Sequence, residues 1–371
     1  LKLSPQNNKT KLSKAEKKEV FKKLSIIIAK AEEIIQDTKQ FSFDSFERRF
    51  YNKTSKLDVS DYYEDYINKL TKEGRIRTAE NYTYSLNSIK NYLNHKRKIP
   101  LKTISFESLT IDALKGFETH CLKKGLTLTT IGFYLRPLRA IFNIAINDEN
   151  SNINIENYPF GKNKYSIPSG KNNKRALSKE QLKVLFDSKP EIEQQQKAKA
   201  FWFFSYLANG MNIKDIAELR FSNLKENELE FYRSKTKNTT KEKLQKIKVI
   251  LPQYSLDIIN QYGQKEKLNT NFIFPILSDL DTPKESIEKI KNLTKFVNKH
   301  FRKLATKEGV HEDITTYWAR HSFANQALNK GASMELLKES LGHKNINTTE
   351  SYVSSFDTDT KEKLSKSLLD F

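Results

Sequence analysis

The sequence predicts a mainly α-helical protein with a small antiparallel β-sheet, arranged as a helical domain followed by a mixed α/β domain. Apolar residues recur at intervals of three and four over most of the chain, which is the period of amphipathic helices. The alternation typical of strands is confined to residues 228–251. Residues 151–174 are rich in Asn, Gly, Lys, Pro and Ser and show little periodicity, which indicates a linker between the domains. A chain of 371 residues has room for two domains.

The first 55 residues are predicted to form an N-terminal helical segment that leads into the first domain. Ser13 and Glu16 have the spacing of a capping box, and the apolar positions that follow favour one helix over residues 13–37. A short second helix is predicted to begin at Phe41.

Residues 56–150 are predicted to form a compact helical domain. Gly125 is expected to end its third helix, and Thr127 is expected to cap the fourth. The fourth helix carries threonine hydroxyls, an aromatic ring and two arginines beside its apolar face. The four helices are predicted at about residues 58–73, 76–95, 110–124 and 127–147.

Residues 175–371 are predicted to form the second domain. Ser178 is a typical N-cap for its first helix, and Thr315 or Thr316 is expected to cap a helix nearer the end of the chain. Gly342 is expected to end the helix predicted over residues 333–341 and to leave His343 at the tip of that helix. Further elements are predicted as helices over residues 195–209, 284–308 and 333–341 and as a β-hairpin over residues 228–251.

The composition favours a partner with an extended negative charge. Sixty-five Lys and Arg against 45 Asp and Glu give a net charge of +20, and this excess is spread along the chain. A basic protein that is merely soluble is the alternative that charge alone leaves open. No apolar run approaches the roughly 20 residues of a membrane span, and no signal peptide is visible. The single Cys121 excludes a disulfide framework and a cysteine-rich zinc site, and is typical of a reducing cytoplasm.

The residues most suited to catalysis lie near the C-terminus. Arg320 lies in the run Ala-Arg-His-Ser-Phe, His343 follows Leu-Gly, and Tyr352 comes nine residues after His343. A fixed cation, an imidazole and a phenol are the groups that can cut a phosphodiester without a metal, because the cation holds phosphate oxygens while the phenol oxygen attacks phosphorus.

The order and spacing of these residues resemble the C-terminal signature of the tyrosine recombinases, the phage integrase family. The variant that begins at Tyr317, Tyr-Trp-Ala-Arg-His, looks most like integrases of Bacteroidetes mobile elements, and the resemblance extends from about residue 41 to the end. It implies a helical core-binding (SAM-like) domain and a catalytic domain that together clamp DNA. It also implies strand exchange through a covalent 3′-phosphotyrosyl intermediate, with no metal and no cofactor.

The resemblance further implies the partners and the cellular location. The expected partners are double-stranded DNA attachment sites, three further copies of the chain in a homotetramer assembled on DNA with exchange of C-terminal helices, and accessory DNA-bending proteins. The expected location is the bacterial cytoplasm, in association with the nucleoid and without membrane contact. Family members carry an N-terminal arm-binding module, and residues 1–55 contain no sequence sufficient for one, so we expect that module to be absent.

The resemblance assigns Tyr352 as the nucleophile and Arg320 and His343 as groups that stabilise charge on the phosphate. Tyr317 stands where a histidine is common, and its hydroxyl can still bond to phosphate. Lys235, on the hairpin, is the expected proton donor to the leaving oxygen, with Lys237 as its rival. His321 is expected to be a packing residue or one that supports the catalytic residues without contacting the DNA.

The resemblance breaks down at the first catalytic arginine. Asn212 stands in its place, and Asp215 matches the acidic residue three positions on. Because side chains two apart on a strand share a face, Arg233 is predicted to point to the same side as Lys235 and to supply the missing charge. Arg220 is the weaker substitute.

Side chains elsewhere are predicted to contact DNA. Exposed arginines on such helices position the phosphate backbone more than they identify bases. A basic face turned only to solvent is the alternative. The predicted contacts are Arg77, Thr130, Arg136, Arg139, Asn212 and Lys237.

Two other functions compete with recombination. A degenerate integrase would keep the DNA clamp and lose cutting, and Asn212 and Tyr317 are the features in its favour. A relaxing enzyme of the type IB topoisomerase kind would share the chemistry and need no partner protomer. The presence of Arg320, His343 and Tyr352 together argues against the first of these.

Overall fold

The protein forms two compact units in a computed structural model, residues 1–171 and residues 172–371. The structure describes the greater part of the chain. The described residues are 14–36, 46, 50, 58–95, 101, 103–148, 151, 153, 155–170, 175–234, 246–350, 352, 362 and 365.

The regular elements described in the first unit are helices. Two predicted helix ends are observed: Thr127 accepts a hydrogen bond from the Thr130 amide at the start of the fourth predicted helix, and Gly125 adopts the left-handed φ of +77° just after the third. The predicted cap Ser13 and most of the helix predicted after Phe41 lie outside the described residues. The helices are α1 Lys14–Gln36, α2 Val59–Lys72, α3 Ile76–Asn94, α4 Ile111–Lys123 and α5 Leu128–Ile146, with 3₁₀ turns at Phe106–Ser108 and Ile155–Asn157.

Part of the predicted linker belongs to this first unit. Phe160 and Tyr165 are buried in its core, and the Tyr165 hydroxyl donates to a Glu118 carboxylate oxygen at 2.5 Å. The chain then passes so close to α5 that a Cβ added at Gly132 would lie 2.4 Å from the Pro168 carbonyl oxygen. Residues 155–170 are therefore packed structure, whereas composition predicted a linker over residues 151–174.

The second unit surrounds one apolar helix. Its helices are α6 Lys179–Asp187, α7 Glu193–Leu207, α8 Ile213–Glu218, α9 Gln253–Tyr262, α10 Pro283–Lys307, α11 Thr316–Asn329, α12 Met334–Ser340 and α13 Ile346–Glu350. Ser178 caps α6 and forms a full capping box with Gln181. Phe201, Trp202 and Phe204 of α7 are buried, and the Trp202 ring stacks on Phe301 of α10 at 4.7 Å.

A small antiparallel sheet lies beside these helices. Its strands β1 Leu224–Lys225, β2 Glu228–Tyr232 and β3 Lys246–Ile250 pair in the order β1-β2-β3. Leu229 pairs with Val249 and Phe231 with Ile247, so the buried positions alternate on both strands. The prediction that Arg233 lies within the strand is wrong, because β2 ends at Tyr232, and residues 235–245 lie outside the described part.

The start of α11 is fixed by the core rather than by its own cap. Thr315 is the N-cap residue, but its side chain makes no capping hydrogen bond. Instead, the Trp202 indole N–H donates to the Thr315 carbonyl at 3.0 Å, and the Thr316 amide donates to the Asn298 side chain at 2.7 Å. These bonds set the position of the helix that carries Arg320. Among the described helices, none combines the length and the apolar character needed to cross a bilayer.

Candidate active site

Arg320 lies in the middle of α11 with only 4% of its surface exposed. Its Nη1 donates to the Gly210 carbonyl at 2.9 Å, and its Nη2 donates to the Leu341 carbonyl at 2.5 Å. A Cβ added at Gly210 would lie 2.7 Å from the Arg320 Cα, and Gly210 has a φ of +67°, so only glycine fits there. The Nε atom of Arg320 is buried and has no hydrogen-bond partner within the described residues.

Burial and several neighbouring groups shift the pKa of the Arg320 guanidinium. Burial, followed by the nearby charge of Arg233, lowers the pKa of Arg320 to about 10, while Tyr352 and Asp215 oppose that shift. Arg320 is therefore still a cation at neutral pH.

His343 stands at the end of α12, after Gly342 with its left-handed φ of +61°. Its Nε2 lies 3.0 Å from Arg320 Nη2, and its Nδ1 lies 3.0 Å from the Thr349 hydroxyl. Because a guanidinium can only donate, Nε2 must accept, and the ring proton is on Nδ1, which donates to Thr349. This hydrogen bonding fixes a neutral imidazole with a defined tautomer.

Tyr352 completes the cluster, with 9% of its surface exposed. Its ring lies 5.1 Å from the His343 ring, and the Arg320 guanidinium carbon is 5.3 Å from its centroid. Its hydroxyl accepts a hydrogen bond from the Tyr317 hydroxyl at 2.8 Å. Burial, and then Tyr352 itself, raise the pKa of Tyr317, so Tyr317 stays protonated as a donor. The structure thus brings Arg320, His343, Tyr352 and Tyr317 together.

Asn212 lies at the N-cap of α8, and its contact with the Asp215 carboxylate is long, at 3.5 Å. Asp215 is buried and accepts two shorter bonds, from the Ser234 amide at 3.0 Å and the Ser234 hydroxyl at 2.7 Å. The carboxylate therefore fixes the backbone immediately after Arg233.

Arg233 is half-buried beside the cluster. Its charge contributes to the lowered pKa of Arg320, and it opposes the larger rise that burial causes in the pKa of Tyr317. Its Cδ also lies 3.8 Å from the place that a Cβ at Gly342 would occupy. The structure therefore brings Arg233 to the site, even though the strand geometry used to predict this is absent.

Arg220 is engaged elsewhere. It forms an ion pair with Asp279, donates to the Thr270 carbonyl, and its guanidinium lies 3.9 Å from the centroid of Phe272.

The other predicted site residues lie in the first unit or outside the described part of the chain. Lys235 and Lys237 lie outside the described residues. Arg77, Arg136 and Arg139 are exposed on α3 and α5 of the first unit. Thr130 is half-buried, and its hydroxyl pairs with that of Thr127 at 3.1 Å. Across the described ranges, no group of three or more His, Cys, Asp or Glu side chains could hold a metal ion.

The sequence did not identify Asn325 as part of the cluster. Asn325 and His321 both bond to the backbone carbonyl of Tyr352, and for His321 the prediction was either packing or indirect support of the catalytic residues. One signal was present: Asn325 is an amide four residues after His321, on the same helix face and among apolar residues.

Two family models match the chain. A model described as the Phage integrase family matches residues 175–359, and a model described as the Phage integrase SAM-like domain matches residues 58–166. The chain belongs to the phage integrase family. It is a tyrosine recombinase, so the class of enzyme predicted from the C-terminal motif is confirmed.

Relatives and solved structures agree with this assignment. Tyrosine recombinase XerC of Syntrophus aciditrophicus is 22% identical over 75% of this chain and 86% of its own length. Tyrosine recombinase XerD of Listeria innocua is 22% identical over 79% of this chain and 94% of its own length.

Two solved structures share the fold. The Tn1549 transposon integrase in complex with transposon right end DNA matches with a TM-score of 0.57 and 18% identity, over 84% of this chain and 99% of that one. A lambda integrase dimer bound to a COC′ core site matches with a TM-score of 0.55 and 16% identity, over 92% of this chain and 87% of that one. The predicted fold class, mainly helical with a small antiparallel sheet, is confirmed.

Proposed function

We propose that this protein is a site-specific recombinase that cuts and rejoins double-stranded DNA at attachment sites, with Tyr352 as its nucleophile. The observation that carries the proposal is the convergence of the Tyr352 phenol, the Arg320 guanidinium and the His343 imidazole in one buried cluster. Attack by the phenol oxygen forms a bond to phosphorus and releases the 5′ oxygen of the cut strand. The resulting phosphotyrosine keeps the bond energy for rejoining.

Arg320 and His343 are the groups that would stabilise charge on the non-bridging oxygens. The Arg320 Nε–H is buried and lacks a partner within the described residues, and a phosphate oxygen would supply one. His343 Nε2 accepts from Arg320, so it must gain a proton there before it can donate to phosphate. Tyr317 would stabilise the developing charge on the Tyr352 oxygen through the hydrogen bond that joins them.

Arg233 is proposed to supply the charge that Asn212 lacks, and Lys235, or its neighbour Lys237, to protonate the leaving 5′ oxygen. The effect of Arg233 on the pKa of Arg320 supports the first role. Arg220 is already paired with Asp279.

Arg233→Ala is expected to lower the rate of single-turnover cleavage by about 10²–10³, the usual cost of removing one donor to a developing anion. Arg220→Ala is the matched control, and it should reduce the rate far less because its side chain is bound to Asp279 and Phe272. Both rates are measured on a nicked substrate that traps the covalent complex. A larger loss of rate in Arg220→Ala than in Arg233→Ala would contradict the proposal that Arg233 replaces the missing arginine.

Both units are proposed to contact DNA, in the clamp that the family resemblance implies. The net charge of +20 and the exposed Arg77, Arg136 and Arg139 support this, with Thr130, Asn212 and Lys237 as further contacts. The matched lambda integrase dimer is bound to a DNA core site.

Duplex affinity is expected to fall steeply with salt, because phosphate contacts release counterions. About 6–10 such contacts imply a loss of roughly 10³–10⁵ in the association constant between 50 and 200 mM salt. Titrations of a labelled duplex at several salt concentrations measure the slope. A flat response would contradict the clamp.

We further propose that four copies assemble on DNA with exchange of C-terminal helices and with help from DNA-bending proteins, in the bacterial cytoplasm beside the nucleoid. One matched structure is a lambda integrase tetramer bound to a Holliday junction. A relaxing enzyme of the type IB topoisomerase kind would act as a monomer, so the stoichiometry on DNA separates the two functions.

Covalent capture tests the function directly. A nicked suicide substrate should leave the protein joined to DNA, and peptide mapping should locate the nucleotide on Tyr352. Attachment at another residue would overturn the assignment. Tight binding with no covalent product would favour the degenerate integrase.

A further inference from the structure

The backbone carbonyl of Tyr352 is held by two side chains of α11. His321 Nδ1 lies 3.2 Å from this oxygen, and Asn325 Nδ2 lies 3.0 Å from it. The same Asn325 amide nitrogen donates to the His321 carbonyl at 2.9 Å. Both side chains are buried, with 5% and 7% of their surfaces exposed.

These contacts determine which ring nitrogen of His321 carries the proton. A carbonyl oxygen can only accept, so His321 Nδ1 must carry the ring proton. Burial lowers the pKa of His321, and the charges of Arg320 and Arg175 act in the same direction, against the bond to Tyr352. The neutral ring also stacks on the Tyr352 ring, with centroids 4.8 Å apart and planes inclined by 28°.

Tyr352 itself lies outside the described helices. It follows α13, and its amide donates to the Thr349 carbonyl at 2.9 Å. A nucleophile must be held close to its attack geometry, since a misplacement of about 1 Å can cost about 10²-fold in rate. Its carbonyl is bound by the helix that also carries Arg320, so one rigid element can set the distance between the phenol and the phosphate pocket.

We propose that His321 and Asn325 are positioning residues, which hold the Tyr352 backbone so that the nucleophile lies beside Arg320 of its own chain. The inference rests on the proposed role of Tyr352 as the nucleophile. Neither side chain touches the reacting atoms, and both act through the Tyr352 carbonyl.

Single-turnover capture on the suicide substrate tests the two residues. His321→Phe keeps the stacked ring and removes the N–H donor, and Asn325→Ala removes the amide. Each is expected to lower the capture rate by about 10–100-fold, with the dissociation constant for the duplex unchanged. His321→Asn should restore most of the rate, because its amide nitrogen can occupy the place of Nδ1. Lys330→Ala, at the exposed end of α11, is the control and should capture at the wild-type rate.

A second measurement separates positioning of the tyrosine from damage to the phosphate pocket. In a Tyr352→Phe background, hydrogen peroxide can serve as an external nucleophile towards the bound phosphate. Adding His321→Phe or Asn325→Ala to that background should leave peroxide cleavage unchanged. An equal loss with peroxide, or capture at the wild-type rate by both single variants, would overturn the inference. Failure of the proposed function would look different, because either the unaltered protein would form no covalent complex or Tyr352→Phe alone would still form one.

Discussion

Tyr352→Phe is expected to abolish covalent capture of a nicked suicide substrate while duplex binding persists. Phenylalanine retains the ring that packs against His321 and His343, and it loses only the oxygen that would bond to phosphorus. Removal of the nucleophile from a covalent mechanism elsewhere costs about 10⁶ in rate, which is a complete loss on the scale of a trapping assay. Denaturing gels measure the adduct, and titration with an intact duplex measures affinity.

The fold should tolerate this change. The substitution removes the hydrogen bonds of the Tyr352 hydroxyl with Tyr317 and Arg320, and each such bond contributes about 0.5–1.5 kcal/mol net. Tyr317→Phe is the matched control, since it breaks the first of these bonds and leaves the Tyr352 oxygen in place, so it should reduce capture without abolishing it. An adduct that persists in Tyr352→Phe would mean that another side chain attacks.

Elements with local signals could be predicted from the sequence. Ser178 and Thr127 cap their helices as predicted, because a cap is decided by residues within one turn. The spacing of Arg320, His343 and Tyr352 identified the family, since their order along the chain reflects a shared fold.

Features decided by contacts between distant residues could not be predicted. Asp215 binds the Ser234 amide and hydroxyl, 19 residues away, and alternation along a strand contains no sign of that bond. Tyr165 is fixed to the first unit by Glu118, which lies 47 residues earlier, whereas the composition around Tyr165 is that of a linker. The role of His321 depends on a carbonyl 31 residues further along the chain.

Arg320→Lys is expected to lower single-turnover cleavage by about 10²–10³, although the positive charge is kept. One ammonium group cannot reproduce the planar geometry with which the guanidinium reaches the Gly210 and Leu341 carbonyls and His343. Leaving either buried carbonyl without its donor should also cost about 1–3 kcal/mol of stability, visible as a lower melting temperature. Arg302→Lys, on the exposed face of α10, is the control and should change neither quantity.

The pH dependence of this variant provides a further check on the burial of the site. Burial and Arg233 lower the pKa of Arg320 to about 10, so wild-type cleavage should show no loss of this charge below about pH 9. The ordinary pKa of lysine is already about two units or more below that of arginine, and the same surroundings would lower it further. The variant should therefore lose its remaining cleavage as the pH rises from about 7 to 9, because deprotonation removes the cation. If Arg320→Lys cleaved at the wild-type rate across this range, Arg320 would not be the group that holds the phosphate.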